Sequence, residues 1–314
     1  MGWSMAGGVS MGVSILGIFV ADLAFRSGRM PQVGETILGS GFAMGPGGKG
    51  SNQAVAAARA GAKTTFISRL GQDSFGDIAM ATWAAEGIDA KVARSPTAPT
   101  GAAFIYVNEV NGENAIIVVP GAAGDISVAD VEAAGDAIRS SRVFVTQLEQ
   151  PAEAALAALK IAREAGVITV FNPAPAAPFD PAIYPLVDYI TPNESETAAM
   201  VGFPVETIED AKRAGDALLQ KGVGVALITL GEKGALFHSK TRSELIPAFH
   251  VASVVETAGA GDAFNGGFAA ALAEGQDPLQ AARFGCAVAG IAVTRAGTAP
   301  AMPKRAEVDA LLAR

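Results

Sequence analysis

Continuous apolar runs recur along this chain and alternate with stretches of helical spacing. The runs are Val13–Phe19, Thr64–Leu70, Arg142–Gln147, Val167–Phe171, Asp188–Thr191 and Val223–Leu230. A strand that is apolar without alternation is buried on both faces. Strands of that kind, joined through helices, lie parallel with helices packed on either side. The pattern therefore predicts an α/β fold on a mainly parallel sheet, with helices near Ser74–Glu86, Pro278–Thr294 and Lys304–Ala313. Two stretches break it. Leu23–Met44 holds scattered Gly, Pro31 and short apolar pieces, and Gly101–Val119 alternates with period two around an Asn111-Gly112 turn. Both predict a small β excursion from the main sheet. Residues 1–12 read as a loose leader, and with no repeat or linker the 314 residues read as one domain.

Composition removes several function classes. The chain is 50% apolar and 17% charged, which belongs to ordered globular proteins. Its net charge of −8 comes without any Lys/Arg cluster, so a nucleic-acid surface is excluded. One cysteine, Cys286, allows no internal disulfide, and two histidines leave little for a zinc site; a reducing, cytoplasmic setting fits. No run approaches the roughly 18 apolar residues of a membrane span. Val13–Ala21 is no signal core, because no basic residue precedes it and Asp22 follows. The first strand is not followed by the glycine fingerprint of dinucleotide folds. Gly45–Gly50 is not a Walker loop either, since Ala43 stands at its first glycine and Gly50 follows the Gly-Lys pair.

Chemistry concentrates at Glu256–Leu272. Gly259, Ala260 and Gly261 precede Asp262, and apolar residues of helical spacing follow, so a helix starts with unpaired N–H groups facing outward. That turn is an anion site, and Asp262 there is a helix cap, a base or a metal ligand. A second glycine loop, Gly45–Lys49, opens an Ala-rich helix with Ser51 as its expected cap and Gly61 as its stop. It presents Lys49 and Asn52. Further polar residues follow strand ends: Asp22, Glu149, Asn193 with Glu196, and Thr229 with Gly231. Glu149 and Asn193 each read singly as helix caps. Ligands of open α/β sheets sit outside the carboxyl ends of the strands, so together these residues predict one cleft.

Six segments in unbroken order resemble the ribokinase branch of the PfkB carbohydrate kinase family: Gly47-Gly-Lys-Gly-Ser-Asn-Gln-Ala, Gly71-Gln-Asp-Ser-Phe-Gly76, Gln147-Leu-Glu149, Thr191-Pro-Asn-Glu-Ser-Glu196, Thr229-Leu-Gly231 and Ala258-Gly-Ala-Gly-Asp-Ala-Phe-Asn-Gly266. A shorter match, Ala292-Val-Thr-Arg-Ala-Gly297, extends it. The resemblance implies a three-layer α/β/α fold with a β lid at about residues 23–44 and 101–119, pairing as a homodimer through the lid. It implies ATP- and Mg²⁺-dependent phosphorylation of a sugar's primary hydroxyl, ribose to ribose 5-phosphate. Asp262 matches the catalytic base, and Gly259, Ala260 and Gly261 the anion hole. Asp22, Gly48, Lys49, Asn52 and Glu149 match sugar contacts. Asn193, Thr229, Gly231, Gly261 and Cys286 match nucleotide contacts, and Glu196 the acid associated with Mg²⁺. A potassium site would use Glu256 with Ala258, Ala292, Arg295 and Gly297.

Three positions depart from the pattern. Val20 replaces an Asn that reaches the sugar, which keeps 2-deoxyribose, another furanose or a nucleoside open as acceptor. Glu256 and Ala301 replace the Asp and Ser usual at the potassium site. A sensing relative without turnover is the remaining alternative.

Overall fold

The computed structural model describes residues 12–251 and 253–314, so the expected leader lies, except for Gly12, outside the described residues. The chain opens with β1 (Gly12–Leu16), β2 (Val20–Ser27), β3 (Gly41–Gly47), α1 (Lys49–Arg59), β4 (Lys63–Gly71), α2 (Ser74–Ala85) and β5 (Asp89–Ser95). It continues through β6 (Thr100–Asn108), β7 (Asn114–Gly121), α3 (Val128–Ala133), α4 (Gly135–Arg139), β8 (Val143–Thr146), α5 (Ala152–Glu164), β9 (Ile168–Phe171) and β10 (Tyr189–Ile190). It closes with α6 (Glu194–Val201), α7 (Ile208–Gln220), β11 (Val225–Thr229), β12 (Ala235–Ser239), β13 (Ser243–Ile246), α8 (Ala260–Ala273), α9 (Pro278–Ala292) and α10 (Arg305–Leu312).

Nine strands form the main sheet in the order β13-β12-β11-β10-β9-β8-β1-β4-β5, parallel from β11 to β5 and antiparallel only at β12 and β13. Successive side chains enter opposite layers. Val143 and Val145 join a core with Phe264, Phe268 and Trp83, while Phe144 joins one with Ile138, Leu159 and Leu218. Helices α1, α2, α8, α9 and α10 thus cover one face and α3, α4, α5 and α7 the other, giving the three expected layers. Two strands escaped the sequence pattern. β5, bearing Asp89, Lys91 and Arg94, and β13, bearing Ser243 and Glu244, are edges with polar exposed residues, so neither is a continuous apolar run.

Four strands build a second, small sheet in the order β3-β2-β6-β7. Here the expectation needs correction at both ends. The first run was expected to stay in the main sheet to Phe19, yet β1 stops at Leu16 because Gly17 meets helix α1: a Cβ on Gly17 would lie 2.7 Å from the Gly50 Cα. The chain then crosses directly, so Val20, Ala21 and Asp22 are strand residues of the small sheet. Its segments are 20–47 and 100–121 in place of 23–44 and 101–119.

Pairing decides which side chains share a face of the small sheet. Phe25 opposes Phe42, Leu23 opposes Met44 and lies beside Phe104, and Phe104 opposes Ile117. Asp22 falls on the other face with Ala103, Ile105, Ile116 and Val118.

Candidate active site

Because the strands from β5 to β11 run parallel, their carboxyl ends form one rim, and α1 and α8 lean over it. Gly48 starts α1 at φ 90°, a conformation open to glycine and costly for other residues. Its first helical N–H, from Lys49, is accepted by Glu149 Oε2 at 2.7 Å. Glu149 therefore closes α1 across the cleft and is not the cap of the following helix α5, whose start has no side-chain cap. The Ser51 cap is also corrected: Ser51 is the third helical residue, fully buried, and its Oγ accepts from Trp83 Nε1 at 2.9 Å.

Asp262 likewise does not cap its helix. Gly259 is the cap, at φ 79°, with no side chain accepting an N–H of the first turn; the Ala260 N–H bonds the Thr257 carbonyl at 3.2 Å and the Ala263 N–H the Gly259 carbonyl at 2.8 Å. Asp262 instead turns inward, 6% exposed, with Oδ2 held by Asn52 Nδ2 at 3.0 Å and Oδ1 by Gln53 Nε2 at 3.2 Å. Burial pushes its pKa up, while the Lys49 ammonium and these two amides pull the other way. A cap would need neither burial nor two amide donors.

Behind Asp262 runs a buried polar network that sequence reasoning did not single out. Gln53 Nε2 also reaches Asn172 Oδ1 at 3.1 Å, and Gln53 Oε1 accepts from Gln147 Nε2 at 2.6 Å. Asn172 donates to the Thr191 carbonyl, Thr191 donates to Asn265 Oδ1, and Asn265 donates to the Gly261 carbonyl. Both oxygens of Asp262 and the Gly261 carbonyl are thereby tied to one interior framework. The available signal was polarity where helical phase demands apolar residues: Gln53 is fully buried in an otherwise Ala-rich helix.

The remaining acids converge on the same rim. Asp22 is pushed up to about 6, by burial first and then by the charges of Glu256 and Asp262. Its carboxylate lies where a Cβ on Gly47 would fall. Burial, only partly offset by Lys49, pushes Glu149 to about 7. Lys49 is held above its usual pKa by Asp262 first and by Glu149 and Glu196 after it, so these groups surround one ammonium. The Asn52 Oδ1 is buried with no hydrogen-bond partner among the described residues, an acceptor left beside Asp262.

Asn193 does cap α6 in a capping box: its side chain accepts from the Glu196 N–H, and Glu196 Oε2 accepts from the Asn193 N–H at 2.9 Å. This bond uses Oε2 of Glu196, and no hydrogen bond to its Oε1 occurs among the described residues. Thr229 ends β11 and hydrogen-bonds to the Pro192 carbonyl, and Gly231 follows at φ 53°. Cys286 joins the core around Phe264 and Val288, 7% exposed, with its thiol pushed to about 12 by burial; packing accounts for it.

At the expected potassium site the carboxylate and one carbonyl already serve the protein's own N–H groups. Glu256 Oε2 already accepts the Gly297 N–H at 2.7 Å, and the Ala292 carbonyl accepts from Arg295 N. Ala301 is buried and has no side-chain oxygen. Arg295 pairs with Glu307.

The chain is 39% identical over 296 residues to the ribokinase of Haemophilus influenzae, spanning 94% of this chain and 96% of that one. It is 34% identical over 295 residues to the deoxyribokinase of Salmonella typhi, spanning 93% and 96%. The structure of Arabidopsis thaliana ribokinase complexed with ribose and ATP superposes with a TM-score of 0.90 at 30% identity, covering 96% of this chain and 99% of that one. The model for the pfkB family of carbohydrate kinases matches residues 12–305, and the chain belongs to that family.

Proposed function

We propose that this protein transfers the γ-phosphoryl group of ATP to the primary hydroxyl of a furanose sugar, with ribose as the acceptor. The observation that carries the reading is Asp262: an acid buried beside an uncapped helix start, with both oxygens oriented by amides. Asp262 accepts the proton of the hydroxyl as that oxygen attacks in line. Its burial raises its proton affinity toward what a general base needs. The backbone at Gly259, Ala260 and Gly261 receives the phosphoryl oxygens as negative charge builds on them.

Asp22, Gly48, Lys49, Asn52 and Glu149 hold the sugar. Ionised Asp22 and Glu149 accept its hydroxyls, and the unpartnered Asn52 Oδ1 takes another. Asn193, Thr229 and Gly231 flank the nucleotide, beside Cys286. Asp262, Glu149 and Glu196 share the one Lys49 ammonium, and Glu256 and Asp262 act on Asp22, so a polyanionic nucleotide enters this acidic site favourably only with a divalent cation. Among the described residues no group of three metal-ligating side chains stands ready. Mg²⁺ would be held by the phosphates and by the free oxygen of Glu196, and bound there it supplies charge neutralisation at the transferring group. Glu256, engaged with the Gly297 N–H, and Ala301, without a side-chain oxygen, support turnover without potassium.

The small sheet is the lid, closing its Asp22 face over the sugar so that water does not compete as acceptor. Its outer face exposes Phe25, Phe42, Met44, Ile117 and Val119, which supports pairing of two lids in a homodimer. Residues 1–314 then form one catalytic unit, working in the cytoplasm. No helix among the described residues is long and apolar enough to cross a membrane.

A second reading, 2-deoxyribose as acceptor, rests on Val20. It lies two residues before Asp22 on the same strand face, buried with Ala103, Leu148 and Ile105, so this wall of the acceptor site offers a hydroxyl nothing. The Salmonella typhi deoxyribokinase likeness favours it as well. ADP release measured over ribose, 2-deoxyribose, hexoses and nucleosides, with potassium or tetramethylammonium, tests all of this. A higher kcat/KM for 2-deoxyribose than ribose selects the second reading. No release with any acceptor defeats both and leaves a sensing protein.

A further inference from the structure

Resting on that kinase reading, we propose that Thr298 is a positioning residue that couples the lid to the phosphoryl side of the site. Three observations meet at its side chain. The Thr298 Oγ1 donates to the Pro46 carbonyl at 3.2 Å. Pro46 lies in β3, opposite Ala21 and one residue before the Gly47 against which Asp22 packs; Gly48, the cap of α1, comes next. On its other side Thr298 fills the space beside Gly259. A Cβ added to Gly259 would stand 3.3 Å from the Thr298 Cα and Cβ and 3.4 Å from its Cγ2.

The loop that carries Thr298 is braced from both directions. Glu256, three residues before Gly259, takes the Gly297 N–H. Arg59, at the end of α1, donates through Nη1 to the carbonyls of Ala299, Pro300 and Met302, while its Nε and Nη2 hold Glu86. A side chain on a braced loop, bonded to one moving part and packed on another, transmits displacement instead of absorbing it. When the lid shifts at Pro46 as a sugar engages Asp22 and Lys49, Thr298 carries that shift to Gly259 and aligns the turn that receives the phosphoryl group. The device favours transfer to a sugar over transfer to water, because the turn is aligned only in the closed arrangement.

Two conservative variants separate the hydrogen bond from the packing. Thr298→Val keeps the shape against Gly259 and removes the donor; Thr298→Ser keeps the donor and trims the methyl. The readouts are sugar-dependent ADP release, ADP release without sugar, and the melting temperature of each protein. Coupling through the hydrogen bond raises the ratio of sugar-independent to sugar-dependent release in Thr298→Val by about tenfold, the worth of one net hydrogen bond. Thr298→Ser stays within about threefold of the parent, and ATP KM is held in all three. If Thr298→Val shows the parent's ratio, or if Val and Ser change it equally, the coupling is wrong and Thr298 only fills space. Absence of sugar-dependent release in the unsubstituted protein would defeat the kinase reading instead, so the two failures are told apart.

Discussion

The two sheets of this molecule are built on opposite terms. The main sheet is covered on both faces, and the acid that organises the cleft, Asp262, is tied through Gln53, Asn172 and Asn265 to its interior. The small sheet keeps large apolar residues in solvent: Phe42 is 60% and Ile117 62% exposed on one face, and Ile116 54% on the other. Burial supplies rigidity, and a group that must hold a reacting atom in place belongs where nothing can move. Partial exposure leaves free energy to be gained by later contacts, which suits a part that closes. On the function proposed above, the buried half carries the reaction and most of the recognition, through Lys49, Asn52 and Glu149, while the movable half contributes Asp22.

The largest test of that division is Asp262→Asn. Turnover should fall by about a thousandfold with sugar affinity within about threefold, read by ADP release and calorimetry. A variant of near-normal rate would break the comparison at its strongest point. Next comes Gln53→Leu, which removes a donor from Asp262 and deprives Gln147 Nε2 and Asn172 Oδ1 of their partner in the interior. It should cost roughly 1–3 kcal/mol of stability in urea titration and about tenfold or more in kcat. A loss confined to KM would place the network on the recognition side instead.

On the movable half, Phe42→Glu puts a charge on the outer face. With the lids paired as proposed, it should shift the protein from dimer to monomer in sedimentation, raise sugar KM, and change kcat by less than about threefold; a parent that sediments as a monomer sinks the pairing. The smallest effect concerns Glu149, whose folded pKa near 7 stands above its ordinary 4.5. A raised pKa in the folded state means the protonated form is favoured by folding. That stability is present in full below the ordinary value and is lost as pH rises through the folded value. Glu149→Gln, which is never charged, should therefore melt close to the parent at about pH 5 and a few degrees above it at about pH 8. Its sugar binding should be weaker at both, which is the trade between affinity and stability expected of a recognition group.

How far the sequence reaches follows the same boundary. The main sheet was legible because continuous apolar runs have one structural meaning, and its interior strands were placed to within a few residues. Its edges, β5 and β13, were not, since a half-exposed polar strand has no such signature. The meeting of Glu149 and Glu196 at one rim was legible from their positions after strands, and Lys49, Asn52 and Asp262 from the two glycine turns that open helices, whereas Asp22, read as following the first strand, lies inside β2. What stayed hidden was how they are held. Ser51 looks like a cap and is a core acceptor for Trp83, while Glu149 closes a helix about 100 residues earlier in the chain. Both depend on contacts between distant segments, and local pattern cannot carry those.

The parallel pairing of β2 with β6 joins residues 20–27 to 100–108, with β4, α2 and β5 lying between them in the chain. Contacts so far apart in sequence close slowly, after the intervening units have formed. A nascent molecule therefore passes through an interval in which Phe25 and Phe42 are made and β6 has not yet arrived to support them.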